Sequence, residues 1–162
     1  MIPVFLNLVT RIQQELAELE RVVARAERAM SAARRQSDEQ DLYLDSAALN
    51  LHDFYTGLER IFQQIGTTVD GNIPTGSNWH RKLLQQMQLD LPESRPPVLS
   101  AETVSMLDEF LRFRHVLRNI YAFHFDPERI SHLINQMHPA WTQAQVELLA
   151  FASFLKQIAN EE

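Results

Sequence analysis

Cysteine is absent from the chain, so disulfides, thiolate metal centres and a cysteine nucleophile are excluded at once. Glycine is scarce, at four residues, and none of them builds a Gly-rich phosphate loop or a nucleophile elbow around a serine. Lysine is rarer still: only Lys82 and Lys156 stand beside thirteen arginines. Arginine is the better residue for forked contacts to phosphate or carboxylate, although a genomic preference for arginine would produce the same count. No run approaches the roughly 20 apolar residues of a membrane span. The opening MIPVFLNLVT has neither a basic leader nor a small-residue cleavage site, and a cytoplasmic protein is expected. The net charge of −6 excludes a polycation wrapped on nucleic acid. None of the six histidines (His52, His80, His115, His124, His132 and His138) belongs to a His-x-x-x-His pair with a glutamate, so no metal and no cofactor is expected.

What is abundant is alanine, leucine, glutamine, glutamate and arginine, a composition that favours helix nearly throughout. At 162 residues there is room for one domain with a sizeable core. Residues 1–36 read as one long N-terminal helix, apolar at three- and four-residue steps up to Val23 and thinning to alanine and arginine beyond it. Residues 37–162 read as the rest of the bundle. Ser37 and Gln40 have capping-box spacing and open a helix to about Ile65. Asn78 caps a short helix from Trp79 to Leu89, and Ser100 caps the next long one. Asp126-Pro127-Glu128 starts a short helix that His138-Pro139 breaks. The last helix carries Trp141, Val146, Leu149, Phe151, Phe154, Leu155 and Ile158 as its inward face. The expected fold is all-α: a bundle of four long helices plus two short ones, in an up-down arrangement.

The stretch LDEFLRFRHVLRNIYAFHFD, from Leu107 to Asp126, is the most apolar long segment, yet it holds three arginines and two histidines. Read as one continuous helix, it places Phe110, Phe113, Val116, Leu117, Ile120 and Tyr121 on one side. Leu107, Leu111, Arg114 and Arg118 fall on another, which suggests a second partner as well as the chain's own core.

Arg118, Asn119 and His124 are the residues of this stretch that could carry chemistry. An imidazole can move the proton of a 2′-hydroxyl, and a guanidinium can hold the phosphate and offset its growing charge. The bland reading is that Arg118 pairs with a glutamate across a helix contact while His124 closes a helix end. If the helix stays regular, His124 lies about 120° around from Arg118, so the two would meet through unwinding or across two chains.

The segment RFRHVLRNIYAFHFD in this helical frame resembles the HEPN superfamily, and its HepT-like branch, over roughly residues 40 to 136. That family's signature is an arginine, usually with a polar residue after it, and a histidine four to six residues on; Arg118, Asn119 and His124 fit it. The resemblance implies a HEPN-like helical bundle and a toxin of a toxin–antitoxin pair. It implies a metal-independent RNA endonuclease whose Arg/His cleft lies at a homodimer interface. Arg118 would hold the phosphate, His124 would transfer protons and Asn119 would orient one or the other. Arg114, Tyr121, Leu107 and Leu111 would support the RNA or dimer cleft. A small nucleotidyltransferase would be the antitoxin partner. HepT-like toxins often carry the histidine five residues after the arginine and a tyrosine two beyond it. Here Phe123 holds the first of those positions, and Asp126 follows two after His124. The alternative is a non-catalytic relative that docks a nucleotidyltransferase or another protein.

Overall fold

α1 (Ile2–Arg35), α2 (Gln40–Ile65), α3 (Trp79–Gln86), α4 (Ala101–Leu117) and α5 (Pro127–Glu161) follow one another in a computed structural model that describes residues 2–35, 38–119, 121 and 124–161. Among the described residues the fold is all-α and has no strand, only an isolated Leu91–Arg95 bridge. One hydrophobic cluster draws on all five helices, from Phe5 to Leu155.

The two longest early helices meet along their whole length. The buried stripe of α1 runs Phe5, Leu8, Val9, Ile12, Leu16, Leu19 and Val23. It does not thin there, because Ala26, Ala29, Met30 and Ala33 are buried too. Small side chains let the helices approach while the arginines between them stay in water. Arg60 on α2 donates to Glu15 at 3.0 Å, and Gln40 donates to the Ala33 carbonyl at 3.3 Å, so α1 and α2 run antiparallel. The two helices pack closely at Gly57: a Cβ there would stand 2.5 Å from Leu19 Cδ2. α2 then loosens into a π-helical turn, Gly66–Asp70, and Gly71 closes it with φ of 79°, a left-handed backbone that suits glycine.

Pro139 does not break the last helix. α5 is one helix of 35 residues with the proline inside it, so the described residues form five helices, not four long and two short. Proline removes one backbone donor, and Pro139 is exposed. Met137, Ala140 and Trp141 around it are buried, which holds both halves against the core. α5 is antiparallel to both neighbours: His138 and Ser131 face Glu27 and Arg34 of α1, while His132 and Gln143 face Glu109 and Thr103 of α4. Val146 and Leu149, expected inward, are exposed.

α4 is shorter than the apolar run that suggested it. It ends at Leu117, and Arg118 and Asn119 form a turn. Asn119 N–H bonds the Val116 carbonyl at 3.0 Å and its side-chain amide takes the His115 carbonyl at 2.7 Å, which closes the helix end. Phe125, half-buried, folds back to 6.2 Å from Phe113, so its apolar side chain reflects packing on α4 rather than a longer helix. Ile120, Ala122 and Phe123 lie outside the described residues. Ser100 caps α4 through its hydroxyl, which accepts from Thr103 N–H at 3.1 Å. Asp126 takes Glu128 N–H at 3.0 Å at the start of α5. Asn78 stands at the start of α3 without a side-chain cap bond, and Ser37 lies outside the described residues.

The link from α3 to α4 is an ordered lap pinned by a buried ion pair. Arg95 has a fully buried side chain and binds Asp70 twice, at 2.6 and 2.8 Å. It also donates to the carbonyls of Leu89, Pro96 and Gln86. That knot seats α3 against the end of α2.

Candidate functional site

Between the start of α3 and the last turns of α4 lies a cleft of about 360 Å³. Ser77, Asn78, His80 and Arg81 line one side; Leu111, Arg112, Arg114, His115, Val116 and Arg118 line the other. Four of these ten residues are arginines, two are histidines and none is a carboxylate. A chain of net charge −6 thus holds a local basic site.

Two carboxylates stand behind that lining. Glu59, with a side chain 5% exposed, accepts from Arg114 Nη1 at 2.7 Å through Oε1. Its Oε2 is 2.8 Å from His80 Nδ1, and Arg114 Nη1 is 2.8 Å from the same ring nitrogen. Asp108 pairs with Arg81 and, at 2.9 Å, with Arg112 Nε. The pairing leaves the cleft with an excess of arginine charge. Arg118 has no carboxylate partner among the described residues, and it is exposed. Tyr55 Oη and Arg114 Nε are buried without a hydrogen-bond partner among the described residues. Burial, and then the Glu59 charge, push the Tyr55 phenol well above its ordinary range, so it stays protonated.

The residues singled out in the sequence are distributed unevenly. Arg118, Arg114 and Leu111 line the cleft. Leu107 is 0% exposed and Leu111 7%, so neither forms a second outward face; both pack in the chain's own core. The reason is that α4 is covered on more than one side, by α2 and by α5. Arg114 is the arginine that pairs with a glutamate across a helix contact; Arg118 is not. Asn119 uses its amide on the helix end. His124 is exposed in a short turn, its N–H on the Tyr121 carbonyl at 3.0 Å and its ring 6.1 Å from that of Tyr121, and it does not line the cleft. Tyr121 is 72% exposed.

Residues 46–155 match the family described as HepT-like protein. The chain belongs to the HepT-like family. The HepT-like match reaches from early α2 almost to the end of α5 and takes in the whole cleft. α1 lies outside the HepT-like match yet supplies a full stripe of the core. Comparison with curated proteins and with solved structures returned no match.

The sequence pattern assigned no site role to Glu59, His80, Arg81, Asp108 or Arg112. A signal for Glu59 was present: it sits among Tyr55, Leu58, Phe62 and other inward positions of α2, where a carboxylate must find a cation. For His80 and Arg81 there was none, because the fold of the preceding loop decides where they point. Among the described residues no group of three or more metal-ligating side chains forms, and no helix is long and apolar enough to cross a membrane.

Proposed function

We propose that this HepT-like chain is the toxin of a toxin–antitoxin pair and a metal-independent RNA endonuclease. A phosphodiester rests in the α3–α4 cleft with Arg118 as its main ligand. The observation that carries this reading is the exposed Arg118 guanidinium, without an ion-pair partner among the described residues, at a cleft with no carboxylate in its lining. A free guanidinium there can bind phosphate oxygens in a forked contact and offset the charge that grows as the bond breaks. His124 acts in proton transfer, and the homodimer brings it to the cleft of one chain or the other. A nucleotidyltransferase antitoxin silences the activity. The test is cleavage of single-stranded RNA by the purified chain in excess chelator. Wild type should cut, and Arg118→Ala should lose cleavage and phosphate-dependent RNA affinity together. Equal cleavage by the two would sink the assignment of Arg118.

A second reading has an observation of its own. Asn119 is engaged with its own helix end, and His124 lies outside the cleft lining. Both features suit a binding module that docks a nucleotidyltransferase or another protein through the same surface. Under it Arg118→Ala weakens complex formation, and wild type in chelator leaves RNA intact.

A further inference from the structure

His80 supplies something the cleft otherwise lacks, an imidazole with a fixed orientation. Its ring stacks on Trp79, centroids 3.6 Å apart and tilted by 32°, and its Nδ1 edge faces Glu59. The tautomer follows from satisfying the carboxylate. Glu59 Oε1 already accepts from Arg114, and Oε2 has no other donor among the described residues than His80 Nδ1. A buried carboxylate oxygen requires a donor, so the proton belongs on Nδ1. Arg114 Nη1 also stands 2.8 Å from Nδ1, but that guanidinium already has Oε1 as its acceptor, whereas Oε2 would be left without a donor. With the proton on Nδ1 both donors converge on one carboxylate. In the neutral ring Nε2, on the opposite edge, is left as a bare acceptor. His80 lines the cleft together with Arg118, and its side chain is 23% exposed. The other cleft histidine, His115, has no carboxylate partner among the described residues to fix it.

We infer that His80, oriented by Glu59, is the general base of this cleft. This rests on the RNA-cleaving reading above and adds a second proton-transfer group to it. His80 Nε2 removes the proton of a 2′-hydroxyl; that oxygen bonds to the adjacent phosphorus while Arg118 holds the phosphate. The bond from phosphorus to the 5′-oxygen breaks, and the departing oxygen takes a proton from protonated His124, in the role proposed for it above. The products are a 2′,3′-cyclic phosphate and a 5′-hydroxyl. Both imidazoles return to their starting protonation by exchange with water. Arg114 is a positioning residue here, since its guanidinium is bound to Glu59.

The experiment uses the full chain and a labelled single-stranded oligoribonucleotide in excess chelator. His80→Asn places an amide N–H where Nδ1–H donates to Glu59, so it preserves the structural bond and removes the base. It should keep the melting temperature and hold RNA affinity within about twofold, while the cleavage rate falls on the order of 100-fold and the acid limb of the pH–rate profile flattens. Glu59→Gln is the second variant and needs no change at His80: loss of the carboxylate that orients Nδ1–H should lower kcat about tenfold or more with KM within about twofold, and an unchanged kcat overturns the inference. Wild-type cleavage with His80→Asn within about threefold of it overturns the role of His80 and leaves the RNA-cleaving reading standing. No cleavage by wild type overturns both.

Discussion

Replacing Arg95 with alanine strikes the lap that positions α3, and its cost can be worked from the contacts. The side chain is 0% exposed and Asp70 only 2%, so the pair is out of water. Arg95→Ala removes two charged hydrogen bonds to Asp70 and leaves the carbonyls of Leu89, Pro96 and Gln86 without this donor. Gln86 Nε2, at 2.8 Å, then remains on Asp70, a neutral amide against a full negative charge. Breaking one side of a buried ion pair costs about 3–5 kcal/mol, because the remaining charge is uncompensated. For a chain of this size each kcal/mol lowers Tm by about 2–4 °C, so the expected fall is about 6–20 °C. Urea and thermal unfolding of Arg95→Ala, Asp70→Ala and the double variant measure it. The double variant should be less destabilised than the sum of the singles, since it removes both charges. A loss below about 1 kcal/mol in Arg95→Ala, the level of a surface pair, would refute this account of the knot.

Other expected outcomes follow from single contacts. Gly57→Ala forces a Cβ against Leu19 and should cost about 1–3 kcal/mol in denaturant unfolding, while the same change at Gly76, where a Cβ meets nothing within 4 Å, acts only through its positive φ. Arg118→Ala should leave Tm unchanged and lower the slope of log affinity against log salt by about 0.7 for single-stranded RNA, the release of one phosphate contact. Tyr55→Phe removes a buried, unpaired hydroxyl and should not lower Tm at neutral pH. The same substitution tests a pH effect: folding raises the Tyr55 pKa, so above about pH 10 the unfolded chain releases a proton that the folded chain keeps. Stability is therefore lost as pH rises there, and Tyr55→Phe should flatten part of that fall. Pro139→Ala restores a backbone donor inside α5 and should raise stability by up to about 3 kcal/mol, read as a higher urea midpoint.

The helices were legible because their periodicity is a property of neighbours in sequence. The stripe of α1, the inward run of α2, and the Ser100 and Asp126 caps need no tertiary knowledge. What failed depended on partners distant in the chain. Leu107 and Leu111 looked like an outward face because a helix wheel cannot say that α2 and α5 cover α4 from different sides. The proline of α5 looked like a break because its cost is local, while the packing of Met137 and Trp141 that outweighs it is not. The candidate site was half legible. Arg118 was singled out beside His124, but the Glu59, His80 and Arg114 cluster joins three helices and leaves no spacing to read.

The near absence of lysine has a consequence for control of the cleft. Its positive charge comes from arginine and, on protonation, histidine; Lys82 and Lys156 are not among the lining residues. Acetylation, which silences many lysine-lined phosphate sites, has no target there. Guanidinium groups also keep their charge well into the alkaline range. The cleft therefore remains charged under conditions that would discharge an ammonium site, and switching it off calls for a bound competitor rather than for acylation of the site itself.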